Sequence, residues 1–342
     1  MDLNLTDEQR EVVSAVRSFL ADRCPADVVR ASEPHGFDAD LWVAFCELAA
    51  PTIGVPEELG GGGASLLDLE LVCEQVGSFL APVPFIEGAV TCRALASSGD
   101  PGSRCLDGLV AEPATVATIA LRPAIAGTAV LVPYGPGARA VVGMDAGDLV
   151  LVARDGDGVV RANLGSSSLA DRSLRGPGRS VLATGEIARA TYGLALDEWR
   201  TLMSGALVGL GEAALTIGVE YAKNRVQFGA PIGSFQSIAR DLADAATLVD
   251  GARLLAREAA WARTEDEGQF APLASMALLF ATRAARRASN VALHVHGGYG
   301  FTLEYDIQLY YRRAEAWPLR LGDPRRGAGE LADALFGPVE AV

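Results

Sequence analysis

The chain has 342 residues, a formal net charge of -14, half of its residues hydrophobic and 21% charged. That length exceeds what one hydrophobic core usually supports, so two or three domains are expected. The negative field excludes nucleic acid and anionic lipid as partners, and an anionic ligand would need a local basic site.

The first block, about 1–110, reads helical. Thr6 and Gln9 form a capping box ahead of an amphipathic run that ends near Arg23. Asp38 is placed to cap a second helix containing Leu41, Trp42, Phe45 and Leu48. Gly60 to Gly63 form a flexible turn, after which Ser65 and Asp68 mark the start of a helix through Leu80. No strand precedes this glycine run and no G-K-[ST] follows it, so it does not read as a phosphate loop.

The second block, about 111–190, holds the short β-branched stretches ATVATIA, TAVLVP, ARAVVG, DLVLVA and SVLAT, punctuated by Gly, Pro and Asp. This pattern predicts a small antiparallel β domain. The stretches do not alternate with helices, which excludes a dinucleotide-binding α/β fold.

The third block, about 191–342, is helical again. Candidate helices run from about 197 to 225, 234 to 264 and 272 to 296, with apolar residues at helical spacing such as Leu242, Ala245, Ala246, Val249 and Ala252. Their length predicts an antiparallel bundle. The fold class is therefore mainly α with a small central β domain: N-terminal helices, a middle β domain and a C-terminal bundle.

The five cysteines, Cys24, Cys46, Cys73, Cys92 and Cys105, are odd in number and include no C-x-x-C pair. Neither a disulfide framework nor a zinc site is expected, and a reduced, cytoplasmic setting fits. The start, MDLNLTDEQR, has no basic region followed by an apolar core, so no signal peptide is expected. No apolar run of membrane-spanning length stands out.

Two stretches carry candidate chemistry. In AKNRVQFGAPIGSFQ, from Ala222 to Gln236, a helix is expected to end near Arg225 to Phe228, with Gly229 as its stop. Ser234 is expected to cap the next helix, with Gln236 in its first turn. This corner gathers a guanidinium suited to a diphosphate and a ring suited to a flat base. The bland alternative is an ordinary interhelical corner. In HVHGGYGFTLEY, from His294 to Tyr305, a helix ends in a glycine pair that lets backbone approach a ligand. His294 and His296, two apart on a helix, face different directions and make a poor metal pair.

Together these stretches resemble the acyl-CoA dehydrogenase family. Its pattern R-x-x-F-G-x-P-I-x-x-F-Q stands here as Arg225, Phe228, Gly229, Pro231, Ile232, Phe235 and Gln236. Its later Q-x-x-G-G-x-G-x-x-x-E-[YF] stands as His294, Gly297, Gly298, Gly300, Glu304 and Tyr305, with His in place of Gln. The resemblance implies FAD as cofactor and an acyl-CoA as substrate. It implies that Arg225, Gln227, Phe228, Phe235, Gln236, His294, Gly297 and Gly298 hold the ADP half of an FAD across a subunit interface, with Arg225 on the pyrophosphate.

The resemblance breaks at the acid. Removing an α-proton while hydride leaves the β-carbon needs a carboxylate base. The family slot beyond the glycine motif falls on Leu321, with Asp323 two residues on. The alternative slot, before an Arg in the first long C-terminal helix, falls on Trp199 ahead of Arg200. Glu198, one residue off, is a weak candidate base, and its bland reading is an exposed acid in a helix's first turn. In the β block, Glu112 and Pro113 only echo the family's T-E-P loop around the flavin ring. No catalytic residue is therefore assigned. Acidless chains of this kind resemble the non-catalytic subunit of actinobacterial heteromeric, steroid-CoA type acyl-CoA dehydrogenases. That resemblance implies an α2β2 heterotetramer whose second subunit supplies the base. The alternatives are a self-sufficient homomeric dehydrogenase using Glu198 or Asp323, and a non-enzymatic scaffold subunit.

Overall fold

The computed structural model of the chain describes residues 4–33, 35–153 and 158–337. Parts of the expected first, second and third blocks, at 1–3, 34, 154–157 and 338–342, lie outside the described residues. The N-terminal part consists of α1 (Asp7–Arg23), α2 (Ala26–Ala31), α3 (Ala39–Leu48), α4 (Leu66–Ser78), α5 (Phe85–Ala96) and α6 (Gly99–Ala111). Its expected start signals are in place. Thr6 and Gln9 close a capping box on α1, Asp38 accepts from the Leu41 N–H at the head of α3, and Ser65 with Asp68 boxes α4. The Gln9 amide also donates to Asp68 at 2.9 Å, so one box braces the other. The four glycines fold back on the preceding turn: a Cβ on Gly61 would lie 2.2 Å from the Val55 carbonyl oxygen.

Next come β1 (Ala117–Ile119), β2 (Thr128–Pro133), β3 (Ala140–Asp145), β4 (Asp148–Ala153), β5 (Leu169–Ser173) and β6 (Arg179–Thr184). One sheet has the order β1-β3-β4-β6, and β2 pairs separately with β5. The expectation of a purely antiparallel domain needs correction, because β1 and β3 run parallel. Strand β5, Leu-Ala-Asp-Arg-Ser, was not anticipated. It lacks β-branched residues, and pairing with β2 rather than propensity makes it a strand.

The C-terminal part opens with α7 (Gly185–Asn224), a helix of 40 residues and so about 60 Å long. After a small hairpin of β7 (Val226–Gln227) and β8 (Ala230–Pro231) follow α8 (Gln236–Glu265), α9 (Glu267–His296), α10 (Ile307–Ala316) and α11 (Pro324–Phe336). Helix α7 is apolar enough by length and composition to cross a membrane, which inspection for a continuous apolar run missed. It is a core helix: 67% of its most apolar window is buried, and α4, α5, α8 and α9 pack around it.

Small residues set the depth of that packing. A Cβ on Gly77 of α4 would meet the Ala206 carbonyl oxygen at 1.8 Å, and one on Gly209 of α7 would meet that of Glu74 at 1.8 Å. The backbones of α4 and α7 therefore touch, which only glycine permits. One hydrophobic cluster runs from Val16 through Trp42, Phe45 and Phe85 to Trp199 and Trp317, so all three parts share a core.

Candidate functional site

The first motif builds a corner. Helix α7 ends at Asn224, and the Arg225 N–H closes its last turn on the Tyr221 carbonyl at 2.8 Å. Val226 and Gln227 then pair with Pro231 and Ala230 across Phe228 (φ +53°) and Gly229 (φ +80°). Positive φ at both central residues is the pattern of a type I′ hairpin turn. Gly229 is thus a turn glycine and not the helix stop expected from the sequence. Ser234 does not cap the next helix either. Its hydroxyl donates to the Pro231 carbonyl at 2.7 Å, and α8 begins at Gln236 without a side-chain cap. Phe228 stands 96% exposed at the turn tip, edge-on to the half-buried Phe235 at 6.1 Å. Gln227 donates its amide to the Val226 carbonyl, and Gln236 is exposed.

The second motif ends α9. His294 is exposed and His296 buried, as two residues apart on a helix must be. Gly297 takes φ +61° and ψ -140°, a conformation open to glycine and costly for other residues. A Cβ on Gly297 or Gly298 would meet nothing within 4 Å, so open space adjoins the pair. The two motifs converge: Tyr221, Asn224 and Arg225 from the end of α7 line one recess with Tyr299 and Tyr305 from beyond α9. The Arg225 guanidinium has no hydrogen-bond or ion-pair partner among the described residues. Tyr305 matches the second motif without an assigned role, and Tyr221 and Tyr299 were not singled out in the sequence, although Tyr299 lies between the motif's glycines.

The base slots surround a different space. A cavity of about 550 Å³ opens between α7, α9 and the segment after α10, lined by Leu121, Arg122, Asp197, Arg200, Leu321 and Asp323 among others. Leu321, which the sequence resemblance places in the acid slot, gives this wall a hydrocarbon side chain. Asp197 and Arg200, one helical turn apart, pair at 2.5 Å on the cavity side. Burial raises the Asp197 pKa, and the Arg200 guanidinium opposes the rise.

The two residues between them turn elsewhere. Trp199 is fully buried and points its indole N–H at Glu87 Oε1, 3.3 Å away. Glu198 does not fit its bland reading as an exposed first-turn acid, because α7 begins at Gly185 and the residue lies inside it, 3% exposed. Both its oxygens are engaged. Arg93 of α5 binds them in a fork at 2.8 Å each, and Arg263 of α8 adds a bond at 3.0 Å. Those bonds hold both oxygens toward α5 and α8, and Glu198 is not among the residues that line the cavity.

Next to the Leu321 slot, Arg320 is buried. It bonds Glu87 at 3.3 Å and Ser167 Oγ at 3.1 Å, and lies over the Trp317 and Tyr134 rings. This knot ties α5, the β region and the end of α10 together, and sequence inspection had no signal for it. Glu112 and Pro113 line another recess with Val43, Cys46 and Arg139. The β-region residues that reach the cavity are Leu121 and Arg122.

Residues 6–104 match the acyl-CoA dehydrogenase N-terminal domain, and residues 190–323 match the acyl-CoA dehydrogenase C-terminal domain. Acyl-CoA dehydrogenase IpdE2 of Mycobacterium tuberculosis is 30% identical over 334 residues, covering 96% of this chain and 98% of that protein. Acyl-CoA dehydrogenase FadE27 of the same organism is 30% identical over 370 residues, covering 97% and 99%. Among solved structures, the ChsE4-ChsE5 complex from Mycobacterium tuberculosis superposes with a TM-score of 0.86 at 25% identity, covering 99% and 100%. A variant of the Tcur3481-Tcur3483 steroid ACAD gives 0.85 at 25% identity, covering 96% and 98%. With helical ends around a β middle, two convergent motifs and relatives matched over nearly their full length, the chain belongs to the acyl-CoA dehydrogenase family.

Proposed function

We propose that this chain is a subunit of an FAD-dependent acyl-CoA dehydrogenase, holding the ADP half of an FAD across a subunit interface while an unlike partner supplies the base. One observation carries the reading. The cavity is lined by Leu321, the residue that the family resemblance puts in the acid slot, and Glu198 is bound by Arg93 and Arg263. The residues present fit an ADP group: the Arg225 guanidinium has no side-chain partner among the described residues and lines a recess with Tyr299, which follows the Gly297 and Gly298 pair in the chain. When bound, FAD supplies the hydride acceptor.

In this reading Arg225 pairs with the pyrophosphate, and Gly297 and Gly298 let backbone approach it. Gln227, Phe228, Phe235, Gln236 and His294 complete the surface that faces the cofactor. The partner is a second, acid-bearing acyl-CoA dehydrogenase chain in an α2β2 assembly. Likeness to a steroid ACAD and to the ChsE4-ChsE5 complex makes a steroid side-chain CoA thioester the first substrate to try.

The test is co-expression with an acid-bearing family member encoded beside this chain, measuring flavin per chain and α,β-desaturation. The pair should hold flavin and turn over, and the chain alone should do neither. Brisk turnover by the isolated chain would sink the proposal. A second reading, a homomeric enzyme, draws on one observation: Asp323 lines the same cavity as Leu321. It requires activity of the chain alone that is lost in Asp323→Asn.

A further inference from the structure

Helices α4 and α8 meet through two acids and two arginines. Glu70 and Glu74 lie one turn apart on α4, and Arg253 and Arg257 lie one turn apart on α8. That spacing allows two rungs, one arginine to each acid. The rungs are filled unevenly. Glu74 takes both arginines, Arg253 Nε at 3.1 Å and a terminal nitrogen of Arg257 at 3.4 Å. Arg253 is held further by Asp250 at 3.2 Å and by Glu212. Glu70 takes neither arginine. It is fully buried, and its two oxygens have no hydrogen-bond partner among the described residues. The Arg257 Nε is likewise buried without a partner among them.

The charges around Glu70 explain the uneven filling. Burial, reinforced by Glu74, favours its protonated form, and Arg257 opposes this ahead of Arg253. On α7 the contact is Gly205, which brings no charge. The other titratable neighbour on α4 is Cys73, whose thiol is kept protonated by burial and by the carboxylates of Glu70 and of Glu87 on α5. While Glu70 is neutral, the Glu74 carboxylate is the stronger acceptor for a guanidinium. Loss of the proton places a second carboxylate in the interior, where an unpaired charge is costly. Arg257 is the donor free to answer it. It has an unspent Nε–H and the longer of the two contacts to Glu74, and Arg253 keeps Glu74 paired when Arg257 leaves.

We infer that Glu70, Glu74, Arg253 and Arg257 form a proton-operated brace between α4 and α8: when Glu70 gives up its proton to solvent, Arg257 leaves Glu74 for Glu70, and each acid is then held by one arginine. The brace is a property of this chain's own packing and does not depend on the proposed function.

The test is a pair of double-mutant cycles on the full-length chain, read by urea unfolding at pH 6 and pH 9.5. Coupling between Glu70→Gln and Arg257→Gln should be absent at pH 6 and reach about tenfold in the unfolding equilibrium constant at pH 9.5. Coupling between Glu74→Gln and Arg257→Gln should fall by a similar factor over the same interval. Opposite changes in the two cycles are the signature of an exchange of partners, which a fixed arrangement of charges does not give. If the first coupling fails to rise, or the second fails to fall, the exchange is refuted. Crystals of the wild-type protein at both pH values decide the point without any variant. Arg257 bonded to Glu70 at pH 9.5 supports the brace, and Arg257 still on Glu74 overturns it.

Discussion

Glu70 offers a direct test of how deeply α4 is buried. Its side chain lies against Gly205 of α7, fully inaccessible to solvent, and neither carboxylate oxygen has a hydrogen-bond partner among the described residues. Burial, reinforced by the Glu74 carboxylate one turn away, pushes its pKa from 4.5 up to about 8, against the pull of Arg257 and Arg253. A rise of that size corresponds to about 5 kcal/mol, at 1.36 kcal/mol per pH unit. The folded state holds this proton longer than the unfolded chain. The stabilising effect of protonation is therefore complete below pH 4.5 and is lost as pH rises toward 8, at about 1.4 kcal/mol per pH unit. Above pH 8 both states have released the proton and the slope ends.

Glu70→Gln keeps the shape and stays neutral throughout. Urea unfolding of both proteins at pH 5, 6, 7 and 8 should show the variant gaining on wild type by about 4 kcal/mol across the series. A difference that stays constant with pH would show that Glu70 is solvated or paired in the folded protein, and the reasoning would fall.

Glu198→Gln should cost about 3 kcal/mol in urea unfolding, because it leaves the Arg93 and Arg263 guanidinium groups under-compensated in the interior. Loss of activity in a flavin-loaded complex without that loss of stability would instead mark Glu198 as a base. Gly209→Ala should destabilise by about 3 kcal/mol or give little soluble protein, since the added methyl collides with the Glu74 carbonyl. Arg225→Ala should lower the flavin content of the purified complex, read from its absorbance, with the unfolding midpoint of the apoprotein unchanged because Arg225 is exposed. Cys24, Cys46 and Cys92 are buried, and burial pushes their pKa up to about 12. Cys73 is raised by the same cause. A thiol-specific disulfide reagent should therefore label the native protein only at the half-buried Cys105 on the minute timescale, and all five thiols in denaturant.

Several features were legible without coordinates because they are local. Capping at Thr6, Asp38 and Ser65 depends on residues three positions apart, and those helices begin where the side chains say. The strand-rich middle announces itself in β-branched runs, and the two ligand-type motifs are contiguous stretches. Local rules failed where a partner from elsewhere decides. Leu169–Ser173 is a strand only because β2 lies beside it. Gly229, a natural helix stop by propensity, became the second residue of a hairpin turn when the chain paired across it. Spacing at the first C-terminal helix could not say which of Asp197, Glu198, Trp199 and Arg200 faces the cavity. Successive residues are 100° apart on a helix, and α4, α5, α8 and α9 around α7 fix its rotation. The clamp on Glu198 joins residues from three helices far apart in the chain, and the recess by Arg225 forms only where the ends of α7 and α9 meet. Sequence order alone thus determined the kinds of element, their succession and the absence of an acid at 321. Which side chains share a cavity, and which carboxyl is locked away from it, depended on long-range packing around one buried helix.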